Sequence, residues 1–309
     1  MKEISIVIPT FNEQDNILPL YKSITNEIKN LNNYKFSLIF IDNASEDLTQ
    51  DRLSEIALID NSVKVIFNCR NYGYIRSSYH ALLQVESDAA ILMSADFQDP
   101  PSLITRFVEK YELGYKTILA VKPESDENFF LFTLRKIFYR FINKISETPL
   151  INNATGSGLY SREVIHALRE INDPYPYFRG LVCELGIGVT TVPFRQPKRS
   201  KGISSQNFYT LFDMGILGIV KHSRVPLRIF TLCGLAISFL SFIVAIIYFI
   251  LKLLFWDTFI MGVAPLVIGL FLFCGLQFIF LGLIGEYVLS IHVHVRNLPH
   301  VIERNRINF

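Results

Sequence analysis

The chain has 309 residues, with 30 Lys and Arg against 28 Asp and Glu, and a net charge of +2 gives no case for nucleic acid as a partner. Half of it is hydrophobic (50%), and the positive mean hydropathy comes largely from the C-terminal part. Cys69, Cys183, Cys233 and Cys274 show no paired metal spacing and read as reduced thiols in a cytosolic setting. Met1-Lys2-Glu3 leads directly into an apolar strand at 4–8, so no signal peptide is expected before it. That strand ends at Pro9-Thr10-Phe11-Asn12-Glu13, and 17–28 reads as a helix. A second strand, 36–41, ends at Asp42-Asn43-Ala44-Ser45, with Ser45 the expected N-cap and Glu46 and Asp47 complementing the helix dipole. A third, 63–67, ends at Arg70-Asn71-Tyr72-Gly73 before a helix near 75–84. A fourth, 89–93, delivers Ser94-Ala95-Asp96-Phe97-Gln98-Asp99-Pro100-Pro101, and 117–121 ends at Lys122.

Strand–helix alternation of this kind predicts an α/β fold with a mostly parallel sheet and helices on both faces. Each polar cluster follows a strand, so all can converge on one crevice at the sheet's C-terminal edge. Asp96 and Gln98 offer a carboxylate and an amide oxygen there, hard donors suited to Mg²⁺ or Mn²⁺ held partly by substrate phosphates. A polar turn closed by two prolines is the plainer reading of the same residues. No G-x-G-x-x-G follows the first strand and no G-x-x-x-x-G-K-[ST] occurs, which removes the two commonest nucleotide-binding loops.

The C-terminal region predicts a membrane anchor. Residues 229–251 carry no formal charge over 23 positions, and 259–285 carry none over 27, with Gln277 the only amide. Each exceeds the ~20 residues needed to cross a ~30 Å hydrocarbon core. The short connection 252–258 makes the pair an antiparallel hairpin. Arg195, Lys198, Arg199, Lys201, Lys221, Arg224 and Arg228 precede it and Arg296, Arg304 and Arg306 follow, whereas the connection holds only Lys252 and Asp257. The positive-inside rule therefore puts the N-terminal region and both termini on the cytoplasmic side of a multi-pass inner (plasma) membrane protein. Residues 129–146 alternate apolar side chains with Arg135, Lys136, Arg140 and Lys144, as a helix in the headgroup layer would, or as a core helix with a basic solvated face. Residues 208–220 are a second candidate interfacial helix. Arg135 and Arg140 are candidate acceptor-phosphate ligands.

The order of these motifs resembles glycosyltransferase family 2, and more closely its polyprenyl-phosphate glycosyltransferases, the group of dolichol-phosphate mannose synthases and bacterial undecaprenyl-phosphate sugar transferases. Phe178-Arg179-Gly180-Leu181-Val182, Arg199-Ser200-Lys201-Gly202-Ile203-Ser204 and Ile284-Gly285-Glu286-Tyr287 agree with it. The resemblance implies a GT-A domain over 1–205, a basic juxtamembrane helix over 206–228, spans at 229–251 and 259–285, and a cytosolic tail over 286–309. It implies metal-dependent, inverting transfer of a sugar from a nucleotide sugar, UDP-linked in preference to GDP-linked, to a polyprenyl phosphate. Pro9, Phe11, Glu13, Asp42, Ser94 and Asp96 would bind the nucleotide, and Asp96 and Gln98 the metal. Asp96, Lys122 and Arg199 would carry the chemistry. Membrane lipids are implied partners, and the spans leave room for a homo-oligomer.

Two departures stand out. Relatives usually read Asp-x-Asp where this chain has Ser94 and Asp96, so Asp99 is a candidate to take over from the missing acid. Many relatives carry an acid and an arginine at the positions of Gly156 and Gly158. A phosphate monoester is already ionised near neutral pH and needs no base, so the loss favours a phosphate acceptor. The departures also keep open a catalytically impaired scaffold of the same fold. A polysaccharide synthase would need more spans and a Gln-x-x-Arg-Trp motif, and the single tryptophan, Trp256, lies in the hairpin connection.

Overall fold

The computed structural model describes residues 1–122, 151, 153–195, 197, 225–254, 263–296 and 298–309. Along the chain run β1 (Lys2–Thr10), α1 (Gln14–Ile28), β2 (Tyr34–Asp42), α2 (Thr49–Ile59), β3 (Val63–Asn68), α3 (Tyr74–Leu83), β4 (Ala89–Leu92), α4 (Leu103–Glu112) and β5 (Thr117–Val121). Then follow β6 (Ala154–Ser161), α5 (Arg162–Ile171), α6 (Phe178–Leu185), β7 (Val189–Pro193), α7 (Val225–Leu254), α8 (Val263–Val295) and β8 (Glu303–Ile307). The strands form one sheet in the order β7-β5-β6-β4-β1-β2-β3-β8.

The pairs β1–β2, β1–β4, β2–β3 and β5–β7 are parallel, as the alternation predicts. β6 and β8 run against their neighbours. The central strands read as unbroken apolar runs because both faces are covered. Ile4, Ile6 and Ile8 point to one face with Leu38, Phe40, Val63 and Val65, where Ile17, Leu20 and Ile24 of α1, Leu53 of α2 and Phe107 of α4 close over them. Val7, Ile39, Ile41 and Ile66 point the other way, against Tyr79 and Leu82 of α3, Val164, Ile165 and Leu168 of α5 and Val182 of α6. Truncating one of these fully buried side chains to Ala removes about 2–5 kcal/mol.

β1 to β5 point the same way, so the loops after β1, β2, β3, β4 and β5 share one edge, as expected. β6 runs antiparallel and brings its start, Ala154–Ser157, to that same edge. Three details differ from the sequence reading. Ser45 does not cap α2, which begins at Thr49 behind Leu48; its hydroxyl is instead held by the Asp42 carboxylate (2.5 Å). Residues 103–112 form α4. The segment read as a tail carries α8 on to Val295 and then supplies β8, which pairs antiparallel with β3.

The β8 segment is held at several points. The Cys69 N–H donates to the Ile302 carbonyl, and Asn308 Nδ2 donates to the carbonyls of Ala57 (2.7 Å) and Val63 (2.8 Å). His80 Nε2 lies 2.5 Å from Glu303 Oε1, and Arg306 chelates the same carboxylate. Burial would raise the Glu303 carboxyl, but hydrogen bonds from Arg306 and His80 outweigh it and hold it below its ordinary value. α7 and α8, 30 and 33 residues long, touch each other and expose apolar side chains such as Leu232, Phe239, Phe278 and Ile279. Among the described residues one stretch, Gly275–Val295, is long and apolar enough to cross a membrane, and none of it is buried in the protein.

Candidate active site

The crevice edge is built from four loops with non-glycine residues in left-handed backbone. Asn12 (φ 55°) follows β1, Ala44 (φ 60°) follows β2, Phe97 (φ 61°) follows β4 and Asn153 (φ 59°) precedes β6. For Ala and Phe this conformation costs on the order of 1–2 kcal/mol each, and such strain gathers where chemistry needs a fixed geometry.

On the β1–β2–β3 side the polar groups are bound to one another. Asp42 is fully buried (0% exposed), and its two oxygens accept the Ser45 N–H (3.0 Å) and hydroxyl (2.5 Å). Burial raises its pKa, and the Ser45 hydrogen bonds work against that rise. The Asn12 N–H donates to Ser45 Oγ, the Glu13 N–H to Thr49 Oγ1 and the Gln14 N–H to Asp47 Oδ2, which lace the first loop to the second. Asn43 is the hub of a second knot. Its Oδ1 accepts from Asn68 Nδ2, Ser77 Oγ and the Tyr72 N–H, and its Nδ2 donates to Asn71 Oδ1 (2.7 Å). Pro9 is buried at the end of β1. Phe11 stands 41% exposed over the crevice. Glu13 is half-buried and accepts from Asn16 Nδ2 (2.5 Å).

After β4 the chain turns at Phe97, and the Gln98 N–H donates back to Asp96 Oδ1 (3.1 Å). Both side chains are half-buried at the crevice wall. Asp99 does not take the place of the missing acid. It is 3% exposed, and its Oδ2 accepts from the Ser94 N–H (2.9 Å), the Ser94 hydroxyl (2.7 Å) and the Ser157 hydroxyl (2.5 Å). Ser94 thus ties its own turn together and links it through Asp99 to β6. Asp96 and Gln98 remain the hard-oxygen pair. Among the described residues no three His, Cys, Asp or Glu side chains converge as a metal site, so a divalent ion there would complete its shell with phosphate oxygens and water.

The β6 side explains both glycines. A Cβ on Gly158 would lie 2.1 Å from the Ile118 carbonyl oxygen, so no side chain fits between β6 and β5. Gly156 has φ +92°, and the Tyr160 hydroxyl donates to its carbonyl (2.8 Å). Lys122 stands at the same edge, half-buried, with its N–H on the Asn153 carbonyl (3.2 Å). Thus Pro9, Phe11, Glu13, Asp42, Ser94, Asp96, Gln98 and Lys122 all lie along one edge. Arg135, Arg140 and Arg199, with the expected helices at 129–146 and 208–220, lie outside the described residues.

Sequence reasoning missed Asn43, Asn68, Ser77 and Tyr74. The first three form the buried knot; Asn43 follows β2, Asn68 ends β3 and Ser77 lies in α3, so single polar residues on three separate segments gave no shared signal for it. Tyr74 opens α3 at this edge and is 51% exposed. Desolvation of its hydroxyl and then the Asp99 charge raise its pKa, the Arg179 charge lowers it and the Asp96 charge adds to the rise.

Comparisons with known proteins find relatives over nearly the whole chain. Residues 5–169 match "Glycosyl transferase family 2". The chain is 31% identical over 299 residues (97% of it and 90% of the relative) to "Putative glycosyltransferase CsbB" of Bacillus subtilis (strain 168). It is 29% identical over 301 residues (97% of each) to "SfII prophage-derived bactoprenol glucosyl transferase" of Shigella flexneri. Among solved structures, the Pyrobaculum calidifontis mannosyltransferase with GDP-Man and Mn²⁺ is 14% identical, with a TM-score of 0.46 over 71% of this chain and 62% of that one. That likeness is below what carries function. With its GT-A-like α/β sheet, the chain belongs to glycosyl transferase family 2 and groups with the bactoprenol glucosyl transferases.

Proposed function

We propose that this protein is a membrane-anchored inverting hexosyltransferase, moving a sugar from a UDP-sugar to a polyprenyl phosphate such as undecaprenyl phosphate on the cytoplasmic face. The observation that carries the reading is the match over 97% of both chains to a relative named for bactoprenol glucosyl transfer, long helices included. The exposed apolar sides of α7 and α8, and the return of the chain from α8 to the same sheet, support a membrane hairpin whose two ends lie on one side.

In the reaction an oxygen of the acceptor phosphate attacks C1 of the sugar. The C1–O bond to the nucleoside diphosphate breaks, and the diphosphate leaves with the electron pair and the configuration inverted. The monoester is already ionised, so no proton has to be removed from the nucleophile and Gly156 needs no acid. Pro9, Phe11 and Glu13 frame the base and ribose, and Asp42 acts through Ser45 by fixing the loop that faces them. Ser94 sets the turn that presents Asp96. Asp96 and Gln98 would hold Mg²⁺ or Mn²⁺, which when bound offsets the diphosphate's charge. Lys122 would stabilise the leaving group, Arg199 is the basic residue assigned near the acceptor, and Arg135 and Arg140 are further candidate ligands of its phosphate.

The test is release of nucleoside diphosphate from a panel of UDP- and GDP-sugars by the purified chain in detergent, with and without undecaprenyl phosphate and Mg²⁺ or Mn²⁺. Release that needs lipid phosphate and metal, and disappears in Asp96→Ala, is the expected result. A protein that binds UDP but consumes no donor would be the scaffold, a reading favoured by the withdrawal of Asp99 into the turn.

A further inference from the structure

Among the described residues, Arg179 is a basic side chain on the β6 side of the crevice to which neither the sequence nor the reaction above assigns a role. It lies in the first turn of α6, whose position is set by the neighbouring Phe178. That ring packs edge-on against Tyr160 (5.2 Å between centroids) and Tyr79 (6.1 Å). The Arg179 side chain then runs over Gly156. A Cβ built on Gly156 would meet Arg179 Nε at 3.6 Å and Cγ at 3.8 Å, so the guanidinium stem lies where a side chain at 156 would emerge.

Three observations define its surroundings. Arg179 is half-buried, and among the described residues no carboxylate pairs with it. Asp99, the nearby buried acid, is already engaged by Ser94 and Ser157. Both the Arg179 and the Asp96 charges act on the Tyr74 hydroxyl, in opposite senses, in keeping with the place of Gly156 beside the β4 turn through Ser157 and Asp99. A guanidinium that faces a crevice without a carboxylate partner is a seat for a planar or tetrahedral oxyanion, since its fork of N–H groups matches two phosphate oxygens at once. The loops after β1 and β2 lie across β4 from it, so the nucleotide and Arg179 occupy opposite sides of Asp96.

Resting on the transferase reading above, we propose that Arg179 binds the acceptor's phosphate monoester, and that Gly156 lacks a side chain so that this guanidinium stays uncompensated. Phosphate could also reach it as the donor's diphosphate, and the test separates the two.

The full chain in detergent, loaded with UDP, is titrated with farnesyl phosphate and, as the probe without phosphate, farnesol; UDP binding is measured separately. The unmodified chain should bind farnesyl phosphate well above farnesol. Arg179→Gln should weaken farnesyl phosphate by about tenfold or more and leave UDP within about twofold, with Arg179→Lys between. Gly156→Asp should reproduce the defect by pairing with Arg179, whereas Gly156→Ala, which carries the same backbone strain without the charge, should not. If UDP weakens instead, Arg179 serves the donor diphosphate and the acceptor assignment falls. No preference for farnesyl phosphate over farnesol, or no change in any variant, also overturns it. An unmodified chain that binds farnesyl phosphate through Arg179 yet turns over no donor would fail the transferase reading and leave this one standing.

Discussion

The two sides of the crevice are built on opposite plans. On the β1–β2–β3 side nearly every polar group answers another: Asp42 to Ser45, Asn12 to Ser45, Asn43 to Asn68, Ser77, Tyr72 and Asn71. On the β6 side the backbone is bare of side chains at Gly156 and Gly158, and the Arg179 stem lies over Gly156. The first side is held by hydrogen bonds that close on one another, with Asn68 Oδ1 the one oxygen of the knot left buried without a partner among the described residues. The second is shaped by what was left out, and Asp99 ties it to the β4 turn.

The largest effect expected is from Gly158→Val. Its Cβ would enter the Ile118 carbonyl, forcing β5 and β6 apart at a cost of more than about 3 kcal/mol, read as lost folded yield and a lowered Tm in detergent. Asp99→Ala should follow at about 2–3 kcal/mol, because it strands the Ser94 and Ser157 donors and unlinks the two sides. UDP affinity, read by titration, should fall with it as the Asp96 turn loosens. Asn43→Ala attacks the closed side alone; a loss of about 1–2 kcal/mol in chemical denaturation is expected, with farnesyl phosphate binding unchanged. An unaltered Asn43→Ala protein would show that the knot is not what stiffens that side.

The smallest effect is of pH on the edge beyond β3. Burial holds both His80 and His300 below the ordinary imidazole value, partly opposed by Glu303 at His80 and by the Asp173 carbonyl at His300. The undocked segment therefore binds protons more readily, and docking of β8 weakens as pH falls through ~6.5. The lowered Glu303 carboxyl adds its loss only further down, as pH falls through its own depressed value. Amide exchange of β8 at pH 7 and pH 5.5, each corrected for the intrinsic base-catalysed rate, should show lower protection at the lower pH, and equal protection would remove the histidines from the lock.

Much of this was legible in the chain. The runs around Ile6, Phe40, Val65 and Ile91 announced their strands because burial on both faces demands unbroken apolar sequence. The polar loops behind them announced the edge. β6 was not legible, since Ala154–Ser161 carries two glycines that read as a loop; its strand comes from pairing between β4 and β5. Ser45 looked like a cap because a serine before acidic residues usually is one, but a buried Asp42 three residues earlier took its hydroxyl. β8, with the sequence Glu-Arg-Asn-Arg-Ile, has no alternation to read, and its place rests on backbone hydrogen bonds that β3 offers.

The strand that closes the sheet is also made late. β3 is synthesised early, and its outer edge waits for residues that follow both long helices. At ~5–20 residues per second that delay is on the order of tens of seconds. Through that interval the nascent domain carries an open strand edge, the feature that invites pairing with another chain. A chain interrupted after α8 would keep it open permanently. Completion of the sheet thereby reports that the helices have been made and the chain has come back, so the fold checks its own assembly before its edge is sealed.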